Sequence, residues 1–224
     1  MNNPRFFELE LAELKRSLAG MGDLVEQALT IATGAILAPR VESREEARAV
    51  EERLDALDST IEERCQRVIA LQSPMARDLR LLIAALRITA DLEQMGDLAE
   101  SVSKRAAFIA RHRLVPNPPE LSELCIAVRT SVHRGLESLS SPDPGLVKEV
   151  EENEDRSDVL TKRCYEGIQK LMAADPSLIR EYTHLLRAVS HLEHIADIAL
   201  SVSEESSYIH RGTLIRHHHD EPQK

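Results

Sequence analysis

Four pairs of carboxylates with the same Glu-x-x-x-Asp spacing mark where this sequence can do chemistry: Glu51/Asp55, Glu93/Asp97, Glu154/Asp158 and Glu193/Asp197. A step of four residues puts both acids on one face of a helix, one turn apart, where like charges repel. The pairs at 93/97 and 193/197 also continue apolar stripes, Leu79, Leu82 and Leu86 in one and Ile179, Tyr182 and Leu186 in the other. Acids in a stripe meant for packing lose hydration as well, so the arrangement calls for a compensating positive charge. Clustered carboxylate oxygens are hard ligands and suit Mg²⁺, Mn²⁺, Ca²⁺ or iron better than thiolate-seeking metals. The expectation is a metal site on each of two helix faces, mononuclear or clustered. The competing expectation is that Arg80, Arg87, Arg180 and Arg187 neutralise the acids as exposed ion pairs, each worth about 0–1 kcal/mol.

Other chemistry has less support. Glu181 and His184 form one Glu-x-x-His of the kind used by carboxylate-bridged di-iron bundles, which need two. The position matching His184 in the first half is Ala84, so a metal-storage or oxidase bundle is the alternative reading and a purely structural helical scaffold another. His191 and His194 flank Glu193 but point away from it around a helix, which fits exposed or indirect roles. Glu100 and Glu204 share the acidic face but are set aside, because Lys104 follows Glu100 at ion-pair spacing. Cys65, Cys125 and Cys164 are isolated, suit small core positions and have no base beside them. No Ser/His/Asp order and no Gly-rich phosphate loop is present, so no enzyme activity is expected.

The elements that must position these acids are long helices. Proline and glycine punctuate the chain at Pro39, Pro74, Pro116 to Pro119, Pro142 to Gly145, Pro176 and Gly212, leaving helical windows at about 5–37, 42–71, 75–112, 118–140, 144–173 and 177–210. Ser73-Pro74 and Asp175-Pro176 each read as a capping side chain followed by proline in the first turn. A shift of 100 residues aligns positions 86–103 with 186–203, and nine of the eighteen are identical. That level of identity argues for duplication. The expected fold is all-α, two three-helix bundles in tandem, with residues 1–113 and 118–211 as the repeats and 212–224 as a flexible tail carrying His217 to His219. A tight connection makes the second and third helices of each repeat antiparallel, bringing four carboxylates together, and the acid stripe of the second helix runs on to Asp58 and Glu62.

Composition narrows the classes further. The 28 Lys and Arg against 38 Asp and Glu give a formal charge of −10, which argues against nucleic acid as a partner. Aromatic residues are 3% of the chain and Trp is absent, which disfavours a β-sandwich. An odd cysteine count without paired spacing reads as a reducing compartment, and neither a signal-type start nor a membrane-length apolar run is present. A cytoplasmic protein is expected.

The run Ser73-Pro74-Met75-Ala76-Arg77-Asp78-Leu79-Arg80, followed by Leu92-Glu93-Gln94-Met95-Gly96-Asp97-Leu98-Ala99, resembles the PhoU family of phosphate-uptake regulators. That family has a Pro-x-Ala-x-Asp-Leu-Arg helix start and a Leu-Glu-Arg-Ile-Gly-Asp-x-Ala segment, with a Glu/Asp-x-x-x-Asp motif on the second and third helix of each repeat. The resemblance implies two three-helix bundles, usually dimeric, and metal ions (magnesium, manganese, iron or zinc) held by the eight carboxylates named above. It also implies a non-enzymatic role: damping phosphate uptake and phosphate-starvation signalling by contact with the phosphate transporter's ATPase subunit and a membrane sensor histidine kinase. Departures are Gln94 and His194 in place of the motif Arg, Ala196 in place of the motif Gly, and Leu178-Ile179-Arg180-Glu181 at the second helix start.

Overall fold

The computed structural model describes residues 4–75, 77–141 and 143–211, so the expected tail at 212–224 and its histidines lie outside the described residues. Six helices follow one another: α1 (Pro4–Leu37), α2 (Ser43–Gln72), α3 (Arg77–His112), α4 (Glu120–Ser140), α5 (Pro144–Ala174) and α6 (Ile179–Arg211). A 3₁₀ turn, Pro176–Leu178, leads into α6, and no strand occurs among the described residues. The fold is all-α, two three-helix bundles in tandem, as the periodicity and the internal repeat require. No described helix is long and apolar enough to cross a membrane.

The two expected helix starts differ. Asp175 behaves as anticipated, accepting from Ser177 N at 3.1 Å and from Ser177 Oγ at 2.6 Å, and Pro176 opens the 3₁₀ turn. Ser73 does not cap α3. It closes α2 in the left-handed conformation, φ 46° and ψ 54°, and α3 begins only at Arg77. A left-handed residue just past the last turn is a common way to close a helix, and Ser73 takes that role for α2 in place of capping α3, whereas α5 closes at Asp175 with φ −136°. At the α4–α5 turn the side chain of Asp143 accepts from Gly145 N at 2.9 Å, with Pro144 opening the helix.

Helices α1, α2 and α3 pack together, as do α4, α5 and α6, and α3 lies against α6 to join the two bundles. Leu82, Ile88 and Leu92 on α3 and Tyr182, Leu185 and Leu192 on α6 are fully buried in the core. Each such side chain contributes about 1.5–3 kcal/mol by leaving water. The three cysteines are free and buried, as anticipated, and burial pushes the thiols of Cys125 and Cys164 up to about 12.

Candidate metal centre

The antiparallel packing of α2 on α3 and of α5 on α6 brings the motif acids together across each helix pair. In the first repeat Asp55 and Asp97 both act on Glu51, Asp55 and Asp97 both act on Glu93, and Asp55 acts on Asp97. Desolvation comes first in each case, and together with the neighbouring charges it raises the carboxyls of Glu51, Glu93 and Asp97 above their ordinary values. In the second repeat Glu193 is raised for the same reasons, by burial and then by Asp158 and Asp197, with Lys162 opposing them. All eight residues therefore sit on the helix pairs that the spacing assigned to them.

The repeats differ in how tightly the acids converge. Glu154, Asp158 and Asp197 each offer an oxygen, and these oxygens lie within 4.8 Å of one another. Among the described residues this is the one trio brought so close. Glu154 is buried at 4% exposure, Asp158 is half-buried and Asp197 faces solvent, so the cluster opens outward from an enclosed carboxylate. Glu193 stands beside the trio rather than within it.

Local sequence explains the contrast. Glu100 and Asp58 add two further acids to the first cluster, Glu100 acting on Glu51 and Asp58 on Glu93. The corresponding residues of the second repeat are Leu200 and Thr161, and Lys162 replaces Ser59. Less repulsion lets the second set draw in. Glu100, set aside on its Lys104 spacing, thus belongs to the first cluster, and Lys162 is a neighbour that the motif did not reveal. Side-chain size at the helix contact differs too: a Cβ on Gly96 would overlap Leu54 Cδ1, whereas the second repeat has Ala196 and the smaller Ser157 at the matching places. The departure from glycine at Ala196 is matched by a smaller partner on α5.

The arginines do not neutralise these acids in the expected way. Arg87 donates to Glu205 at 2.9 Å, Arg180 lies 4.7 Å over the Phe108 ring, and Arg187 stands beside Arg105 and His191. Arg80 Nε is buried without a hydrogen-bond partner among the described residues. Nor does Glu181/His184 make a metal site, because the His184 ring stacks on Phe108 with centroids 3.7 Å apart and faces Arg105 and Arg180. Cations around an imidazole oppose binding another cation there. His194 is exposed and His191 half-buried against Arg105 and Arg187, away from the carboxylate trio.

A converging set with a buried glutamate, two more accessible aspartates and no sulfur or imidazole is a hard-oxygen donor set, suited to a magnesium- or manganese-like ion. Six helices in two copies have known counterparts. Residues 18–106 and residues 121–206 each match the family model described as the PhoU domain. The chain belongs to the PhoU domain family. It is 33% identical over 210 residues to the phosphate-specific transport system accessory protein PhoU homolog of Aquifex aeolicus, covering 94% of this chain and 95% of that one. The homolog of the same description from Pseudomonas putida is 30% identical over 212 residues, covering 94% of this chain and 83% of that relative. The crystal structure of PhoU from Pseudomonas aeruginosa superimposes with a TM-score of 0.88 at 28% identity, over 92% of this chain and all 100% of that one. The phosphate transport system regulatory protein PhoU from Streptococcus pneumoniae gives 0.84 at 26% identity, over 94% and 99%. The two PhoU matches fall on the two halves related by the 100-residue shift.

Proposed function

We propose that this chain is a non-enzymatic accessory regulator of phosphate uptake and phosphate-starvation signalling, a cytoplasmic homodimer that acts as a metal-dependent adaptor. Its partners in this reading are the ATPase subunit of a phosphate transporter and a membrane sensor histidine kinase. The observation that carries the reading is the similarity, over nearly the whole chain, to accessory proteins of phosphate transport systems. Residues 1–113 and 118–211 are the repeats. Glu154, Asp158 and Asp197 hold a cation with Glu193 at its side, and Glu51, Asp55, Glu93 and Asp97 hold another with help from Glu100. The bound ion supplies positive charge to a face that otherwise repels itself, and so fixes the relative position of the second and third helices of a repeat. Partners then meet a neutralised, ordered surface instead of an acidic one.

The test is a pull-down from cells with the wild type and with a variant carrying Asp55→Asn, Asp97→Asn, Asp158→Asn and Asp197→Asn, with metal analysis of the same preparations. The reading expects transporter ATPase or sensor kinase with the wild type, and stoichiometric metal in it, both lost together in the variant. Equal partner recovery by the two proteins overturns the metal-dependent adaptor.

A further inference from the structure

The join between α3 and α6 holds a second set of charged groups, and the duplication supplies a comparison for it. Residues on α3 correspond to those 100 positions later on α6, so an antiparallel contact at one end of the join has a counterpart at the other. At one end Arg87 Nη1 donates to Glu205 Oε1 at 2.9 Å and Ser201 Oγ donates to Asp91 Oδ2 at 3.0 Å. The counterparts of Arg87, Glu205 and Asp91 are Arg187, Arg105 and His191. A guanidinium facing a carboxylate has become a guanidinium facing a guanidinium, and the second carboxylate has become an imidazole.

Arg105 and Arg187 stay within electrostatic reach of each other, and both face His191. Three nitrogens at this end, Arg105 Nε, His191 Nε2 and His184 Nδ1, are removed from solvent yet have no hydrogen-bond partner among the described residues. Phe108 stacks on His184 at 3.7 Å and on His112 at 3.9 Å, which fixes the His184 ring. Arg105 Nε is a buried donor without an acceptor, and the two imidazole nitrogens beside it are unpartnered polar atoms, so a polar group is missing from this place.

We propose that the Arg105, Arg187 and His191 end of the α3–α6 join binds a phosphate-type oxyanion, either free or as the terminal phosphoryl group of a small molecule. The opposite end shows the pairing rule, since the single charge of Glu205 answers the single guanidinium of Arg87. Two guanidiniums answer a dianion, and their planar forks match the spread of phosphate oxygens. The imidazole of His191 adds a donor where Asp91 would repel such an ion. This site is separate from the carboxylate faces and does not depend on metal.

Calorimetric titration of the full chain with inorganic phosphate and, separately, with ATP, each against chloride at matched ionic strength, tests it. Saturable binding that weakens by about tenfold or more in Arg105→Gln and in Arg187→Gln is expected, with the exposed Arg48→Gln unchanged. Binding of phosphate identifies the free ion as ligand, and binding of ATP alone identifies the phosphoryl group of a small molecule. Arg105→Glu rebuilds the Arg87–Glu205 arrangement, so it should fold stably and lose the ligand-dependent rise in melting temperature expected of the wild type. No saturable binding by either ligand, or binding that survives both glutamine variants, overturns the proposal. Phosphate that leaves with EDTA yet is kept by Arg105→Gln sits on cations at the acidic faces and overturns it equally.

Discussion

Arg87 and Glu205, 118 positions apart in the chain, form an ion pair across the join of the two bundles at 2.9 Å, with the Glu205 side chain 10% exposed and that of Arg87 46% exposed. The pair ties α3 to α6 through groups of unequal burial. Loss of Arg87 strands a mostly buried carboxylate, one oxygen of which already has no partner among the described residues. Arg87→Ala should therefore cost about 1–2 kcal/mol, and Glu205→Gln less, because the amide carries no charge to strand. Urea unfolding of both single variants and the double variant measures this, and the double variant should lose less than the sum.

Metal addition should stabilise the two repeats unequally. The trio Glu154, Asp158 and Asp197 is already converged, while the first cluster must overcome Glu100 and Asp58. Mn²⁺ or Mg²⁺ at a hundredfold excess over the dissociation constant should add about 2.7 kcal/mol per site. Asp197→Asn should remove more of the low-concentration gain than Asp97→Asn, as read from melting temperature during a metal titration. Equal losses would count against the asymmetry.

Gly96→Ala should destabilise in spite of alanine's better helix propensity, because the added methyl meets Leu54, a side chain 1% exposed in the core. Overpacking of this kind costs about 1–3 kcal/mol against a propensity gain of about 1 kcal/mol. Adding Leu54→Ala should recover part of the Gly96→Ala loss, reproducing the small residue on α2 that Ser157 provides on α5. Chemical unfolding of the two single variants and the pair checks it.

His184 should make stability fall in mild acid. Burial, then Arg105, Arg180 and His112, lower its pKa from the ordinary 6.5, with Glu181 opposing, while the Phe108 ring covers it from α3. Below 6.5 the unfolded chain takes up a proton that the folded chain refuses, so the contribution is complete above that value and is lost as pH falls through the folded pKa. Melting temperatures of the wild type and His184→Phe should diverge between about pH 7 and about pH 5.5, the wild type falling faster. Parallel curves would contradict it.

Much of the fold was legible because it depends on local signals. Proline, glycine and the apolar period located the six helices to within a few residues, and the repeated segment at 86–103 and 186–203 revealed the two bundles. The eight motif acids were legible because a four-residue step and a tight reversal leave little choice about which faces meet. Ser73 departs from its local capping tendency because it closes α2 in the left-handed conformation, and α3 starts four residues later at Arg77. Glu100 was set aside on a local ion-pair rule, yet its neighbour lies on another helix, at Glu51. The competing reading of the arginines fails for the same reason: the partners of Arg87 and Arg180, Glu205 and Phe108, lie in the other repeat.

Sequence alone determined that this protein is helical, duplicated and acidic at repeated places, since periodicity, punctuation and charge are properties of neighbours along the chain. Tertiary structure decided which acids converge to within a single ion's reach, and it decided that Arg87 meets Glu205 at one end of the join while Arg105 and Arg187 face each other at the other. Both follow from which side chains meet across helices, where the duplication leaves a few positions unlike, Leu54 against Ser157 and Arg105 against Glu205.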